Sequence, residues 1–393
     1  MSETSRGERP FEIIVYGATG FTGRLVAEYL AGSPSAKHLT WAMAGRSADK
    51  LAQVRDSIGA PADTPLIVAD IADPASLAAM AGQARVVLTT VGPYQLYGEP
   101  VVEACIVAGT DYADLCGEPL WMRRMIDTHG AAASAGTARI CLSSGFDSIP
   151  FDLGVVMLQQ EAMARYGEPA PRVKCRVRAM KGTFSGGTAA SLKATLGAIG
   201  QDHSLLPVLL DPFALTPGFT GPPQPRGDAV EFDEASQSWA APFIMAQINT
   251  KNVHRTNFLL GHPWGKGFTY DEMVLTGPGD AGEAAAKFVA GTPMIGGAND
   301  PQPGEGPSLQ EREEGFYDVL MIGEWPDGRT IRTSVKGDRD PGYGSTSKML
   351  AETGIALLDC PAASGIGTPG AILGEALVAR LEANAGLTFA VEG

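Results

Sequence analysis

The sequence predicts an α/β protein in which a doubly wound parallel sheet is followed by a second, α+β domain built on a largely antiparallel sheet. Three observations predict it. From Phe11 to about Pro150, short apolar runs alternate with amphipathic stretches, the pattern of βα units feeding a parallel sheet. Beyond Pro150 this alternation gives way to longer strand-like runs joined by loops. The chain also has 393 residues, more than one hydrophobic core usually serves. The expected division is residues 1–150 for the first domain and 151–340 for a substrate or dimerisation domain, with helices of 341–393 packing back on the first.

Six strands are expected in the first domain, at residues 11–16, 39–44, 66–69, 86–91, 111–115 and 139–142, each suited to a sheet buried on both faces. After the first of them, Phe21, Leu25, Val26, Tyr29 and Leu30 recur at helical spacing. Asp73 followed by Pro74 reads as an N-cap with proline in first position. In the second half the spacing predicts a helix over 152–166, strands at 172–180, 243–248 and 268–275, and a hairpin pairing 316–325 with 329–336. Its turn is Pro326-Asp327-Gly328, with glycine where a left-handed conformation is needed. Residues 207–225 and 291–307 are rich in proline and glycine and read as surface loops, whereas 347–358 and 371–383 read as helices.

Composition narrows the function. A formal charge of −14 excludes the clustered Lys and Arg excess that a nucleic-acid partner requires. The five cysteines, Cys105, Cys116, Cys141, Cys175 and Cys360, are scattered and lack CxxC spacing, so neither a disulfide framework nor a metal site is expected. Residues 1–10 are polar and no long apolar run occurs, so the expectation is a cytoplasmic protein with no integral membrane segment.

The most informative motif is Gly17-Ala18-Thr19-Gly20-Phe21-Thr22-Gly23, which follows a strand and opens a helix. In that context Gly17 permits a tight turn, Gly20 lets the backbone approach a pyrophosphate and Gly23 lets the helix sit close to the sheet. The helix N-terminus offers free N–H groups to the anion, with Thr19 and Thr22 as further donors. The reading is a Rossmann-type dinucleotide-binding domain. Where an NAD enzyme carries an acidic residue after the second strand, this chain has Arg46-Ser47, with Lys50 on the next turn. An arginine there cannot accept from a ribose hydroxyl but pairs with a 2′-phosphate, so the expected cofactor is NADP(H). Asp70 is expected beside the adenine, or capping the turn into Asp73. The fourth strand runs into Thr90-Val91-Gly92-Pro93-Tyr94, at the edge where ligands gather in doubly wound sheets, and the nicotinamide is expected there.

Other chemistries find no support. None of the nine tyrosines has a lysine four residues on, no HExxH occurs, and Gly145-Phe146-Asp147-Ser148 is not a GxSxG elbow. Hydride transfer remains.

Several stretches together carry a family resemblance: FEIIVYGATGFTGRLVAEYL, AGRS, VVLTTVGPYQLYGEPVVEACIVAGTDYADLCGE, SGFDSIPFDLG, FSGGTAASL and DPGYGSTSKMLAETGIALL. They resemble the saccharopine dehydrogenase-like oxidoreductases, and within them the trans-acting enoyl reductases. The resemblance implies a Rossmann domain, a second domain carrying an open sheet, C-terminal helices returning to the first domain, and a homodimer formed through the second sheet. It also implies reduction of a carbon–carbon double bond on a carrier-bound acyl chain, in concert with a polyketide synthase. Saccharopine reductases proper act instead on an imine of amino-acid metabolism. A third reading is an NADPH-binding sensor or scaffold without turnover.

For enoyl reduction, Tyr94 and Tyr97 are the expected proton donors or orienters, and Cys116, Glu118, Asp147, Ser185 and Gly186 the expected substrate contacts. Ser144, Asp147 and Ser148 equally suit capping of the following helix. An imine reductase would need cationic groups for a dicarboxylate, and Arg172, Arg176 and Arg178 fall on one face of a strand by alternation.

Overall fold

The computed structural model describes residues 9–183, 186–292 and 305–392. The expected α/β organisation is observed. The first sheet holds seven strands, all parallel, in the order β13-β6-β5-β4-β1-β2-β3. They are β1 (Phe11–Tyr16), β2 (Trp41–Gly45), β3 (Leu66–Val68), β4 (Ala84–Thr89), β5 (Asp111–Ala113), β6 (Arg139–Cys141) and β13 (Gly365–Gly367). The six expected strands all form, with their ends moved by a residue or two. The seventh, β13, escapes the pattern because Gly-Ile-Gly carries a single apolar side chain. It is nonetheless held beside β6, where Ile366 pairs with Ile140.

The second sheet is mixed and mostly antiparallel, in the order β14-β12-β11-β7-β10-β9-β8. Its members are β7 (Arg172–Lys181), β8 (Glu231–Asp233), β9 (Ser238–Pro242), β10 (Thr269–Gly277), β11 (Phe316–Glu324), β12 (Thr330–Gly337) and β14 (Leu387–Glu392). Only β7 and β10 run parallel to one another. The hairpin β11–β12 forms as expected, with Gly328 at φ +90°.

Three expectations change. The strand expected at 243–248 is instead a short turn after β9 that leads into a helix, Ala246–Leu259. The alternating Phe-Ile-Met-Ala-Gln-Ile pattern fits a first helical turn as well as a strand, and packing against the helix Ile149–Tyr166 decides it. The loop expected at 207–225 begins inside a short helix, Leu205–Leu210, while most of 291–307 lies outside the described residues. The C-terminal helix expected at 371–383 is broken into Pro369–Ile372 and Glu375–Arg380 by Gly374 at φ +49°. After it, β14 joins the second sheet rather than the first, pairing with β12.

The helix Thr346–Leu358 does return to the first sheet, where Gly354 lies so close that a Cβ would come within 2.7 Å of Leu88. One apolar cluster runs through both halves, joining Ile13, Val15 and Leu88 to Val173, Met321 and Val335. Each such side chain contributes about 1.5–3 kcal/mol on leaving water, so the two sheets stabilise one another through a common core.

The arginines of β7 are spent on structure. Arg176 is buried between Asp233 (2.6 Å) and Asp271 (2.9 Å), Arg172 pairs with Asp271, and Arg178 lies between Asp318 (2.7 Å) and Glu392 (2.6 Å). Removing one partner of such a buried pair costs about 3–5 kcal/mol.

Candidate active site

The loops leaving β1, β4, β5 and β6 converge at one edge of the first sheet. Gly17, directly after β1, has φ +88°, and a Cβ there would strike Val91 and Thr90 at 2.7 and 2.9 Å. Gly23 lies in the first turn of the helix Phe21–Gly32, where a Cβ would come within 2.1 Å of the Gly17 carbonyl. The sheet, turn and helix are therefore packed as tightly as backbone allows. The helix begins at a Gly20 cap that makes no side-chain hydrogen bond, which leaves its leading N–H groups available to an anion. Ala18 is buried and its N–H donates to Ala44, whereas Thr19 is exposed beside Gly45.

Arg46 follows β2 and is exposed, and among the described residues no carboxylate pairs with it. Ser47 caps the helix Ala48–Ser57 by accepting from the Lys50 amide at 3.4 Å, so its hydroxyl has a structural partner, and Lys50 itself is exposed. Asp70 accepts from the Ala72 amide and holds the turn into Asp73, which caps the helix Pro74–Gly82. An uncapped helix end, a cradle that any Cβ would fill and an unpaired guanidinium after β2 together fit a dinucleotide bearing a 2′-phosphate.

Thr90, with its N–H on the Tyr16 carbonyl, leads through Val91 into Gly92 and Pro93. Tyr94 is buried, and its hydroxyl is engaged twice, donating to the Thr89 carbonyl at 3.2 Å and accepting from the Leu115 amide at 3.1 Å. Burial raises its pKa well above the ordinary value. Its geometry is that of a residue holding the loop, which fits the orienting role expected of it better than proton donation. Tyr97 is half exposed and lies outside the cavity lining, so the two expected donors are not brought together.

Glu118 organises the cleft. Its carboxylate accepts the Tyr94 and Gln95 amides, each at 2.8 Å, and the Ser191 hydroxyl at 2.7 Å. Cys116 is fully buried behind it, its thiol pushed up by burial; Gly117 and Glu118, not Cys116, face the cavity. Asp114 is likewise internal, accepting from the Tyr112 hydroxyl and the Cys116 and Ser143 amides, and burial lifts it to about 7.

The segment after β6 departs from the capping expectation. Ser144 bonds back to Cys141, and Ser148 stands at the N-cap of the helix Ile149–Tyr166 without capping it, its hydroxyl taken by Asn252 at 2.5 Å. Asp147 points into the cavity. Ser185 lies outside the described residues, and Gly186 opens the helix Gly186–Gln201, whose Gly187, Thr188, Ser191 and Leu192 line the cavity.

That cavity measures about 510 Å³ and lies between the converging loops and the second half of the chain. Toward the first sheet it is lined by Thr22, Thr90, Gly92, Gly117, Glu118 and Asp147. Its far side is apolar, formed by Met180, Leu192, Leu196, Leu209, Phe243, Ile244 and Met245. No Lys, Arg or His occurs among the described lining residues.

Two parts of the site lay beyond sequence reasoning. Residues 243–248 were read as a strand, and Pro341, Gly342, Tyr343 and Thr346 were seen only as part of a motif. In the structure Pro341–Ser345 forms a π turn, its amides at Tyr343 and Gly344 held by the buried Asp340 carboxylate, and Thr346 accepts the Phe146 amide at 2.9 Å. A Pro-Gly-rich segment directly after a long strand was the available signal, since π turns gather at functional sites.

Comparison with known proteins agrees with this geometry. Residues 13–140 match the family described as the saccharopine dehydrogenase NADP binding domain. A Mycobacterium tuberculosis protein provisionally named a trans-acting enoyl reductase is 40% identical, covering 95% of this chain and 96% of its own. Trans-acting enoyl reductases of Mycobacterium bovis and Mycobacterium leprae are 37% and 38% identical, each over 96% of this chain and 97% of theirs. Among solved structures, apo saccharopine dehydrogenase (L-Glu forming) from Saccharomyces cerevisiae aligns over 96% of this chain and 99% of that one, at 13% identity and a TM-score of 0.46. Fold, site and relatives define an NADP-dependent oxidoreductase. Within that class, the chain belongs to the saccharopine dehydrogenase-like family, alongside the trans-acting enoyl reductases. Among the described residues no helix is long and apolar enough to cross a membrane.

Proposed function

We propose that this protein reduces the carbon–carbon double bond of an α,β-unsaturated acyl thioester, with residues 1–150 holding NADPH and residues 151–340 the acyl chain. The observation that supports it best is the cavity: one side meets the dinucleotide loops, the other is apolar, and the described lining carries no cation. An imine formed from an amino acid and a semialdehyde brings carboxylates that such a lining would leave unpaired at a cost of several kcal/mol each. The β7 arginines, the cations an imine reductase would call on, are already committed to Asp233, Asp271, Asp318 and Glu392.

When bound, NADPH supplies the hydride that adds to the β-carbon. The chain's own residues do the rest. Glu118 fixes the loop 92–97 through two amides and ties it to the helix Gly186–Gln201 through Ser191. Thr22 and Thr183 line the cavity and are assigned to the thioester carbonyl as hydroxyl donors, and the apolar side excludes water from the acyl chain. The relatives are named trans-acting, which fits a substrate delivered by a separate partner; that this is a carrier-bound chain from a polyketide synthase is part of the proposal.

The test is NADPH oxidation by the purified protein with 2-enoyl N-acetylcysteamine thioesters of increasing chain length, beside an imine generated from glutamate and an aldehyde. Turnover that improves with chain length is expected. Preference for the imine, or tight NADPH binding with no oxidation by either class, would overturn the reading.

A further inference from the structure

Enoyl reduction leaves an electron pair at the α-carbon that must take up a proton, and the structure narrows the donor by elimination. Three carboxyls stand at the sheet edge. Glu118 is saturated by two amides and a hydroxyl, and Asp114 by two amides and a phenol. Tyr94 has its hydroxyl engaged on both sides. Asp147 alone of this group faces the cavity without a hydrogen-bond partner among the described residues.

We propose that Asp147 is the acid that delivers the proton to the α-carbon of the reduced substrate. The role rests on the enoyl-reductase reading above. Asp147 stands on the loop after β6, opposite the loop after β5, with one carboxyl oxygen 3.7 Å from where a Cβ on Gly117 would lie. Its neighbour Phe146 is anchored by Thr346 and packs edge-on against Phe151 and Tyr317, so the carboxyl is presented from a rigid base. Cys116 lies close enough to feel its charge, and the other titratable groups lining the same cavity are Glu118 after β5, Tyr94 after β4 and Tyr343 of the π turn; none is a cation. Burial accordingly lifts the carboxyl to about 6, close to where a general acid works best near neutral pH.

The step balances. Hydride forms the new C–H bond at the β-carbon, the π pair moves to the α-carbon and carbonyl as an enolate, and the Asp147 O–H bond breaks as the α C–H bond forms. Asp147 is left as a carboxylate and regains its proton from solvent, so one NADPH and one proton are consumed per double bond.

The test compares wild type, Asp147→Asn and Asp147→Glu, using a 2-methyl-2-enoyl N-acetylcysteamine thioester as probe and reading NADPH oxidation against pH together with the configuration of the methyl-bearing carbon. Wild-type kcat is expected to fall as pH rises through about 6, as the acid ionises. Asp147→Asn should lose about 100- to 10,000-fold in kcat, with NADPH affinity retained, loss of that pH limb and a racemised product. Asp147→Glu should restore part of the rate and the limb. Wild-type turnover with an Asp147→Asn rate within about twofold, or with unchanged stereochemistry, overturns the role while sparing the enoyl-reductase reading. Should Asp147→Asn fail to fold, a wild-type profile without the falling limb overturns it equally. No wild-type turnover with any enoyl thioester removes the parent reading, and the role with it.

Discussion

The carboxylate of Glu118 and the hydroxyl of Ser191 meet at 2.7 Å across the cleft, joining a loop of the first sheet to a helix that belongs with the second half of the chain. The same carboxylate holds the amides of Tyr94 and Gln95, so a single side chain sets both the floor of the cavity and its distance from the opposite wall.

Glu118→Ala should therefore destabilise the protein more than its size suggests, because the buried Tyr94 amide loses its acceptor at about 1–3 kcal/mol and the half-buried Gln95 amide loses its own as well. Ser191→Ala removes one hydrogen bond and should cost only about 1 kcal/mol. Urea unfolding midpoints of the two variants provide the comparison, and equal losses would contradict the central role given to Glu118.

Arg46→Ala should leave NADH binding unchanged and weaken NADPH by about 10- to 100-fold, the worth of one or two hydrogen bonds to a charged phosphate. Calorimetric titration with both nucleotides decides it. An equal loss for both would mean that Arg46 supports the loop rather than reading the 2′-phosphate.

Gly23→Ala places a methyl 2.1 Å from the Gly17 carbonyl, a separation real Cβ atoms do not adopt. The helix Phe21–Gly32 must move off the turn, and the expected result is loss of binding to both nucleotides with the second half of the fold intact. Gly32→Ala, where nothing lies within 4 Å, serves as the control and should bind normally.

Stability should fall with rising pH over an unusual window. Burial raises Asp114 and Asp152 to about 7 and Glu272 to about 8, well above their ordinary values of 3.8 and 4.5. Between the unfolded and folded pKa values the native state holds protons that the unfolded chain has released, so the unfolding free energy decreases as pH rises from about 4 to about 8. Glu392, held low by hydrogen bonds from Arg178, acts in the opposite sense only in more acidic solution, and His254, pushed down to about 3 by burial, opposes the decline up to its ordinary 6.5 but is one group against three carboxyls. Chemical denaturation across this range should show the decline, and Glu272→Gln should flatten its upper part. Stability increasing between about pH 5 and 8 would sink the argument.

Much of the cofactor half was legible in the chain. Parallel strands buried on both faces announce themselves as uninterrupted apolar runs, the tight packing at Gly17 and Gly23 follows from backbone geometry, and the role proposed for Arg46 follows from its charge. The catalytic half was not. Tyr94 looked like a donor because a tyrosine after Gly-Pro at a sheet edge is well placed, but its hydroxyl is claimed by Thr89 and Leu115, which no local pattern encodes. Ser148 looked like a cap but bonds to Asn252, more than a hundred residues away, whereas Asp147, expected as a substrate contact or a cap, faces the cavity. Arg172, Arg176 and Arg178 read as a cationic face until strands from distant parts of the chain supplied their carboxylates. What the sequence hid in each case was the partner, not the element.

The late strands β13 and β14 have a consequence for biosynthesis. Residues 365–367 complete the edge of the first sheet and 387–392 complete that of the second, pairing with Arg332–Gly337. Neither sheet can gain its last edge strand while these residues are still inside the ribosome, even though most of their strands emerged long before. The nascent protein must therefore wait with two open sheet edges exposed, and such edges recruit other chains when left uncovered. Stalling or cleavage a few residues before β14 would leave the backbone of β12 bare, and the hazard it creates is aggregation rather than simple loss of activity.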